Sequence, residues 1–104
     1  KNIEEYRFAA VCRAAGAMLL AGHNIFSPVV MSHPIAARVE ELAGEWEDWA
    51  GLDTHMVGLC EEFWILALPG WDTSRGIKAE VTLARSLGKP IRLVDTDGNE
   101  LELE

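Results

Sequence analysis

A chain of 104 residues holds one hydrophobic core and is too short for two, so a single domain over residues 1–104 is expected. Hydrophobic residues make up 49% and charged residues 25%, the balance of a globular domain, and no apolar run approaches the roughly 18 residues of a membrane span. Nine Lys and Arg against 17 Asp and Glu give a formal charge of -8, which excludes a nucleic-acid duplex as the main partner because phosphate neutralisation needs a basic face. A small anionic ligand needs only a local cluster of donors.

Residues 3–21 read as a helix, with Phe8, Val11, Cys12, Ala15, Leu19 and Leu20 roughly on one face and Gly22 as its stop. HNIFSP, residues 23–28, reads as a short strand ending at Ser27 and Pro28. Pro34 then opens a second helix over 35–42, capped by Ser32 or His33. GEWEDWAGLD is expected to be irregular, and Asp53, a good N-cap, to start a short helix through Met56, Val57 and Cys60. FWILAL, residues 63–68, is a continuous apolar run suited to a strand buried on both faces of a parallel sheet. Ser74 caps a helix over 75–87 that Gly88 ends, PIRLVD is the next strand, and DTDGNE is a tight turn. The closing LELE reads partly as an appended tail.

Helix and strand alternate, which predicts an α/β fold. The expected architecture is a Rossmann-like or flavodoxin-like three-layer sandwich around a small, mainly parallel sheet. Because these residues open on a helix, the first strand of that plan is expected to lie outside them, or the sheet to be unusually small. No signal peptide is recognisable. Cys12 and Cys60 lack metal-type spacing and read as reduced core thiols of a cytoplasmic protein.

Ligands of open parallel sheets bind beyond the carboxyl ends of the strands. The 63–68 strand delivers Pro69, Gly70, Trp71 and Asp72 to that edge. There the free N–H groups of the next helix, the Ser74 hydroxyl, Arg75 and the uncrowded backbone of Gly76 form a site that a phosphate would fit. The plainer alternative makes Ser74 only an N-cap and Gly76 only a turn residue.

Projected at about 100° per residue, Ile77, Val81, Ala84 and Leu87 form one apolar face, and Glu80 falls inside it. A carboxylate so placed is costly to bury unless something uses it. It lies about 9 Å along the helix axis from Ser74, within reach of a ligand anchored there. The plainer alternative pairs Glu80 with Arg7 or Arg92 at the sheet edge. Asp53 is either a cap or a second acid on the connection leading to the same strand, and Ser27, Pro28 and His33 are expected at the same edge. His55 and Asp53, two residues apart, cannot meet on a helix, so no metal site is expected. Trp46, Trp49 and Trp71 suit base stacking or a subunit interface, with core packing the default.

An apolar strand after an acidic residue, a Gly-containing turn, Ser six residues before Glu on the next helix, and G-K-P before another strand resemble the nucleoside 2-deoxyribosyltransferase superfamily. FSPVVMSHP, the tryptophans and LPGW are similar to a small, uncharacterised bacterial and phage branch of it. The resemblance implies that Glu80 is the nucleophile that attacks the anomeric carbon of a deoxyribose and displaces the base. It makes Asp53 the acid that manages the proton of the leaving base, and Ser74 a contact of the sugar's 5′ end. Members that bind free nucleosides tend to carry Asp at the Ser74 position, so Ser74 with Arg75 points to a 5′-phosphorylated substrate. Ser27 and Pro28 match the loop near the base.

The implied protein cleaves or transfers the N-glycosyl bond of nucleosides or nucleoside 5′-monophosphates, with no cofactor and no metal, as a homo-oligomer. The family's N-terminal strand, whose loop supplies substrate-binding residues, has no counterpart here. Two other readings stand beside this one: a nucleotide-binding module without catalysis, using the same helix start, and an oligomeric interaction protein.

Overall fold

The computed structural model describes residues 3–42 and 46–103, with the backbone alone at Ile3, Glu4 and Trp46. Helix α1, Ile3–Leu20, is alanine-rich and buries Ala10, Ala14 and Met18, a stripe at i, i+4 and i+8. It stops where Gly22 takes φ 98, letting the His23 N–H bond back to the Met18 carbonyl at 3.1 Å.

The expected strand over 23–28 and the expected helix start at Pro34 are both corrected. Helix α2 is Pro28–Ala36, with Ser27 as its N-cap. Ser27 Oγ accepts from the Val30 N–H, and Pro28 occupies a first-turn position, where its missing N–H costs nothing. Ser27-Pro28 is thus a complete start signal six residues ahead of the one at His33-Pro34. Pro34 lies inside the helix, which ends two residues later. Residues 23–27 carry no ladder pairing, and a single turn of 3₁₀ helix, Glu40–Leu42, follows α2.

Helix α3, Trp46–Leu59, begins earlier than expected and runs through the stretch read as irregular. Its first turn holds Glu47 and Asp48, which complement the helix dipole, so Asp53 is an interior residue and not a cap. The expected irregular stretch also includes Gly44 and Glu45, which lie outside the described residues. Trp49 Nε1 donates to the Leu42 carbonyl at 3.2 Å.

Strand β1, Phe63–Leu66, pairs in parallel with β2, Ile91–Val94, through α4, Arg75–Ser86. Strand β3, Glu100–Leu101, returns antiparallel on β2, giving a sheet ordered β1-β2-β3. Its turn is held by Asp95 Oδ1, which accepts from the N–H groups of Asp97 and Asn99, each at 2.9 Å. Leu101, the first residue of the closing LELE, pairs with Leu93 and belongs to this sheet.

Strand alternation divides the core. Val94, Trp64 and Leu66 pack with Ala14 and Met18 of α1 and with Ile25. Ile65 and Leu93 point to the opposite face, where α4 touches both strands and α3 lies against α4. The result is the expected α/β sandwich, helices on both faces of a small mixed sheet. Among the described residues, no helix is long and apolar enough to cross a membrane. Cys12 and Cys60 are free and half-buried.

Candidate active site

The end of β1 leads into a tight, well-anchored turn. Gly70, at φ 91, precedes one turn of 3₁₀ helix, Trp71–Thr73, and Ser74 then caps α4. Ser74 Oγ accepts from the Ile77 N–H at 3.2 Å, which leaves its O–H as a donor towards the helix start. Arg7 of α1 donates to the Pro69 carbonyl and lies 3.5 Å from where a Cβ on Gly70 would stand. A guanidinium, a serine hydroxyl and the open N–H groups of α4 are therefore brought near one strand end. Arg75 is exposed there, and Gly76 is the second residue of the helix, not a turn residue.

Glu80 sits one turn before Ala84, which is 0% exposed, on the part of α4 that meets α3. Its partner is Asp53, 9% exposed, and the two side chains are hydrogen-bonded. Neither arginine considered from sequence reaches it. Arg7 is spent on Pro69, while Arg92 bridges Glu62 at 2.9 Å and Glu100 at 3.3 Å.

Burial is the largest influence on both acids and raises both pKa values. For Glu80 the charge of Asp53 and the hydrogen bond between them push further the same way, to about 8. The same hydrogen bond pulls Asp53 back towards ionisation. Glu80 therefore keeps its proton at neutral pH, with the Asp53 side chain as its hydrogen-bond partner.

The pair opens onto a groove of about 340 Å³ between α3 and α4, mostly apolar, whose hydroxyls are Thr54, Thr82 and Ser86. Sequence reading missed these three. Ala79, Thr82 and Ser86 follow a helical i, i+3, i+7 stripe, but nothing in one helix alone says that α3 lies alongside it. Thr82 and Ser86 donate to the carbonyls of Lys78 and Leu83, at 3.0 and 2.7 Å, leaving their oxygens as acceptors.

Of the expected site residues, Asp53 and Glu80 alone line this groove. The groove extends from them towards Ser86, the C-terminal end of α4, whereas Ser74, Arg75 and Gly76 stand at its N-terminal end. Ser27 and Pro28 start α2 rather than ending a strand. His33, inside α2, is 2.9 Å from Glu5 and stacked on Phe8 with ring centres 4.3 Å apart, an arrangement that ties α2 to α1. Trp71 lines a second groove of about 440 Å³ with Ile77, Val81 and Leu103, on another part of α4. The side chain of Trp46 lies outside the described residues. Among the described residues, no three His, Cys, Asp or Glu side chains gather as a metal would need.

A family model described as "Domain of unknown function (DUF1937)" matches residues 1–96, and the chain belongs to that family. No curated protein and no solved structure gives a significant match.

Proposed function

We propose that this DUF1937 domain cleaves or transfers the N-glycosyl bond of a nucleoside or nucleoside 5′-monophosphate through Glu80 and Asp53. The observation that carries the reading is the pair itself. Two carboxyl groups 27 positions apart in the chain, on different helices, meet in a mostly apolar groove and are hydrogen-bonded to each other. Pairs of acids whose pKa values are pushed up by burial and by each other are a common basis for acid–base and nucleophilic chemistry. The resemblance of the Ser74-to-Glu80 segment to nucleoside 2-deoxyribosyltransferases supplies the substrate class.

In this reading the pair holds one proton, which gives the two acids complementary roles. Hydrogen-bond contact is closer than the ~5–5.5 Å between the two carboxyl groups that flank a glycosidic bond in retaining glycosidases, so entry of the sugar parts the pair. With the proton on Asp53, the Glu80 carboxylate attacks the anomeric carbon. The C–N electrons leave with the base, and Asp53 gives that nitrogen its proton. The products are a glycosyl ester on Glu80, a neutral base and an Asp53 carboxylate. Water, or a second base, then attacks the anomeric carbon, the ester bond breaks, and Asp53 takes up the proton. One negative charge stays on the pair before and after the cycle. The start of α4, with Ser74 and Arg75, is the proposed anchor for the 5′ group, about 9 Å along the helix from Glu80.

Incubation of the protein with a panel of deoxynucleosides and their 5′-monophosphates, followed by chromatography of free base, tests this. Base release that disappears in Glu80→Ala is expected. No release from any substrate overturns the enzyme reading, and would leave the pair as a hydrogen-bonded tie between α3 and α4.

A further inference from the structure

The groove that runs from Asp53 and Glu80 towards Ser86 is where the leaving group of the proposed reaction has to lie. With the 5′ group at the start of α4 and the anomeric carbon at Glu80, the base continues the other way, towards the C-terminal end of the same helix. There α3 and α4 bound a cleft of about 340 Å³, within the ~300–1,000 Å³ of small-molecule pockets, and Ala79 and Leu83 give it an apolar wall for a flat ring.

The hydroxyls give that cleft a direction of hydrogen bonding. Thr82 Oγ1 donates to the Lys78 carbonyl at 3.0 Å and Ser86 Oγ to the Leu83 carbonyl at 2.7 Å. Each has committed its one proton to α4 and offers the groove lone pairs alone. The third hydroxyl, on Thr54 of α3, has no hydrogen-bond partner among the described residues and turns to suit either a donor or an acceptor.

Thr82 and Ser86 stand four positions apart on one helix, a spacing that sets Cβ atoms about 5–6 Å from each other. Two hydrogen bonds of about 2.9 Å that diverge from one amino group at about 120° end on oxygens about 5 Å apart, close to that spacing. An exocyclic amine thus brings a proton for each oxygen. An exocyclic carbonyl in the same place brings only lone pairs, and is bonded only after a hydroxyl abandons its helix carbonyl.

We propose that this groove selects bases that carry an exocyclic amine, of the cytosine or adenine kind, over their oxo counterparts, with Thr82 and Ser86 as the specificity-determining residues. The inference rests on the nucleoside reading of the Asp53–Glu80 site and adds the class of base to it.

Binding and turnover are read separately to test it. Calorimetric titration of Glu80→Gln, which cannot form the glycosyl ester, compares cytosine with uracil and adenine with hypoxanthine, each as the deoxynucleoside and as its 5′-monophosphate. The wild type supplies the ratio of kcat/KM for base release within the same pairs. The amine-bearing member is expected to bind about tenfold more tightly. Adding Thr82→Val and Ser86→Ala should bring the ratios to about one with unchanged helical circular dichroism, since both positions are exposed on α4. Equal binding within the pairs, tighter binding of the oxo member, no binding at all, or a preference that survives the two substitutions overturns the proposal. Preferential binding without base release by the wild type supports it while overturning the enzyme reading, and base release at equal kcat/KM within every pair does the reverse.

Discussion

Replacing Glu80 with Gln separates the cost of the acid pair from its use. With a pKa of about 8 against an ordinary value of 4.5, the wild-type protein must keep Glu80 protonated at pH 7 while the unfolded chain would ionise it. The raised value means that this group's contribution is complete below pH 4.5 and is lost as pH rises towards 8. Over the 2.5 pH units between 4.5 and 7 that loss amounts to about 3 kcal/mol, at ~1.36 kcal/mol per unit. Gln has nearly the same shape, never ionises and can donate to Asp53 in the same way. Glu80→Gln is therefore expected to be more stable than wild type at pH 7 by up to about 3 kcal/mol, which is up to about 12–24 °C in Tm for a domain this small. At pH 4.5 the two proteins should unfold together. Urea denaturation of both at pH 4.5, 6 and 7, with Tm by circular dichroism, measures it. A variant no more stable than wild type at pH 7, or a difference that does not grow with pH, would refute the assignment of a proton to Glu80. A residue retained at such a cost is expected where function and stability conflict.

Other outcomes follow from the same geometry. Because the competent pair holds one proton, kcat/KM for base release should fall above pH about 8 as Glu80 loses it in the free enzyme, and Asp53→Asn should move the Glu80 titration to lower pH, followed by carboxyl chemical shifts. Ser74→Ala removes the α4 cap and should cost ~1 kcal/mol in urea denaturation, while raising KM for a 5′-monophosphate more than for the free nucleoside. Gly70→Ala places a side chain at φ 91 beside the Arg7 guanidinium and should cost about 1–2 kcal/mol by the same assay.

The elements around Glu80 were legible in the sequence because local signals agreed: an apolar run for β1, a serine cap and Gly88 around α4, and the PIRLV segment after it for β2. Elsewhere two valid local signals competed. Ser-His-Pro at 32–34 looks like a helix start, but Ser27-Pro28 comes first and α2 had already begun. Asp53 looks like a cap because Asp is a good one, and Gly51 and Gly58 lower the helical propensity on either side, yet the helix starts at Trp46. The partner of Glu80 could not be read from periodicity, since the contact depends on α3 lying against α4. The resemblance to a known superfamily picked out both acids, while their hydrogen bond and the hydroxyls of Thr54, Thr82 and Ser86 came only with the packed structure.

The most direct test of the mechanism is to mix the protein with a deoxynucleoside or its 5′-monophosphate, quench in acid within one turnover, and digest it for mass spectrometry. The mechanism requires a sugar ester on Glu80 in the wild type that is absent from Asp53, from every other carboxylate and from Glu80→Gln. Release of base without any ester on Glu80, or a chain that neither releases base nor carries an adduct, would contradict it.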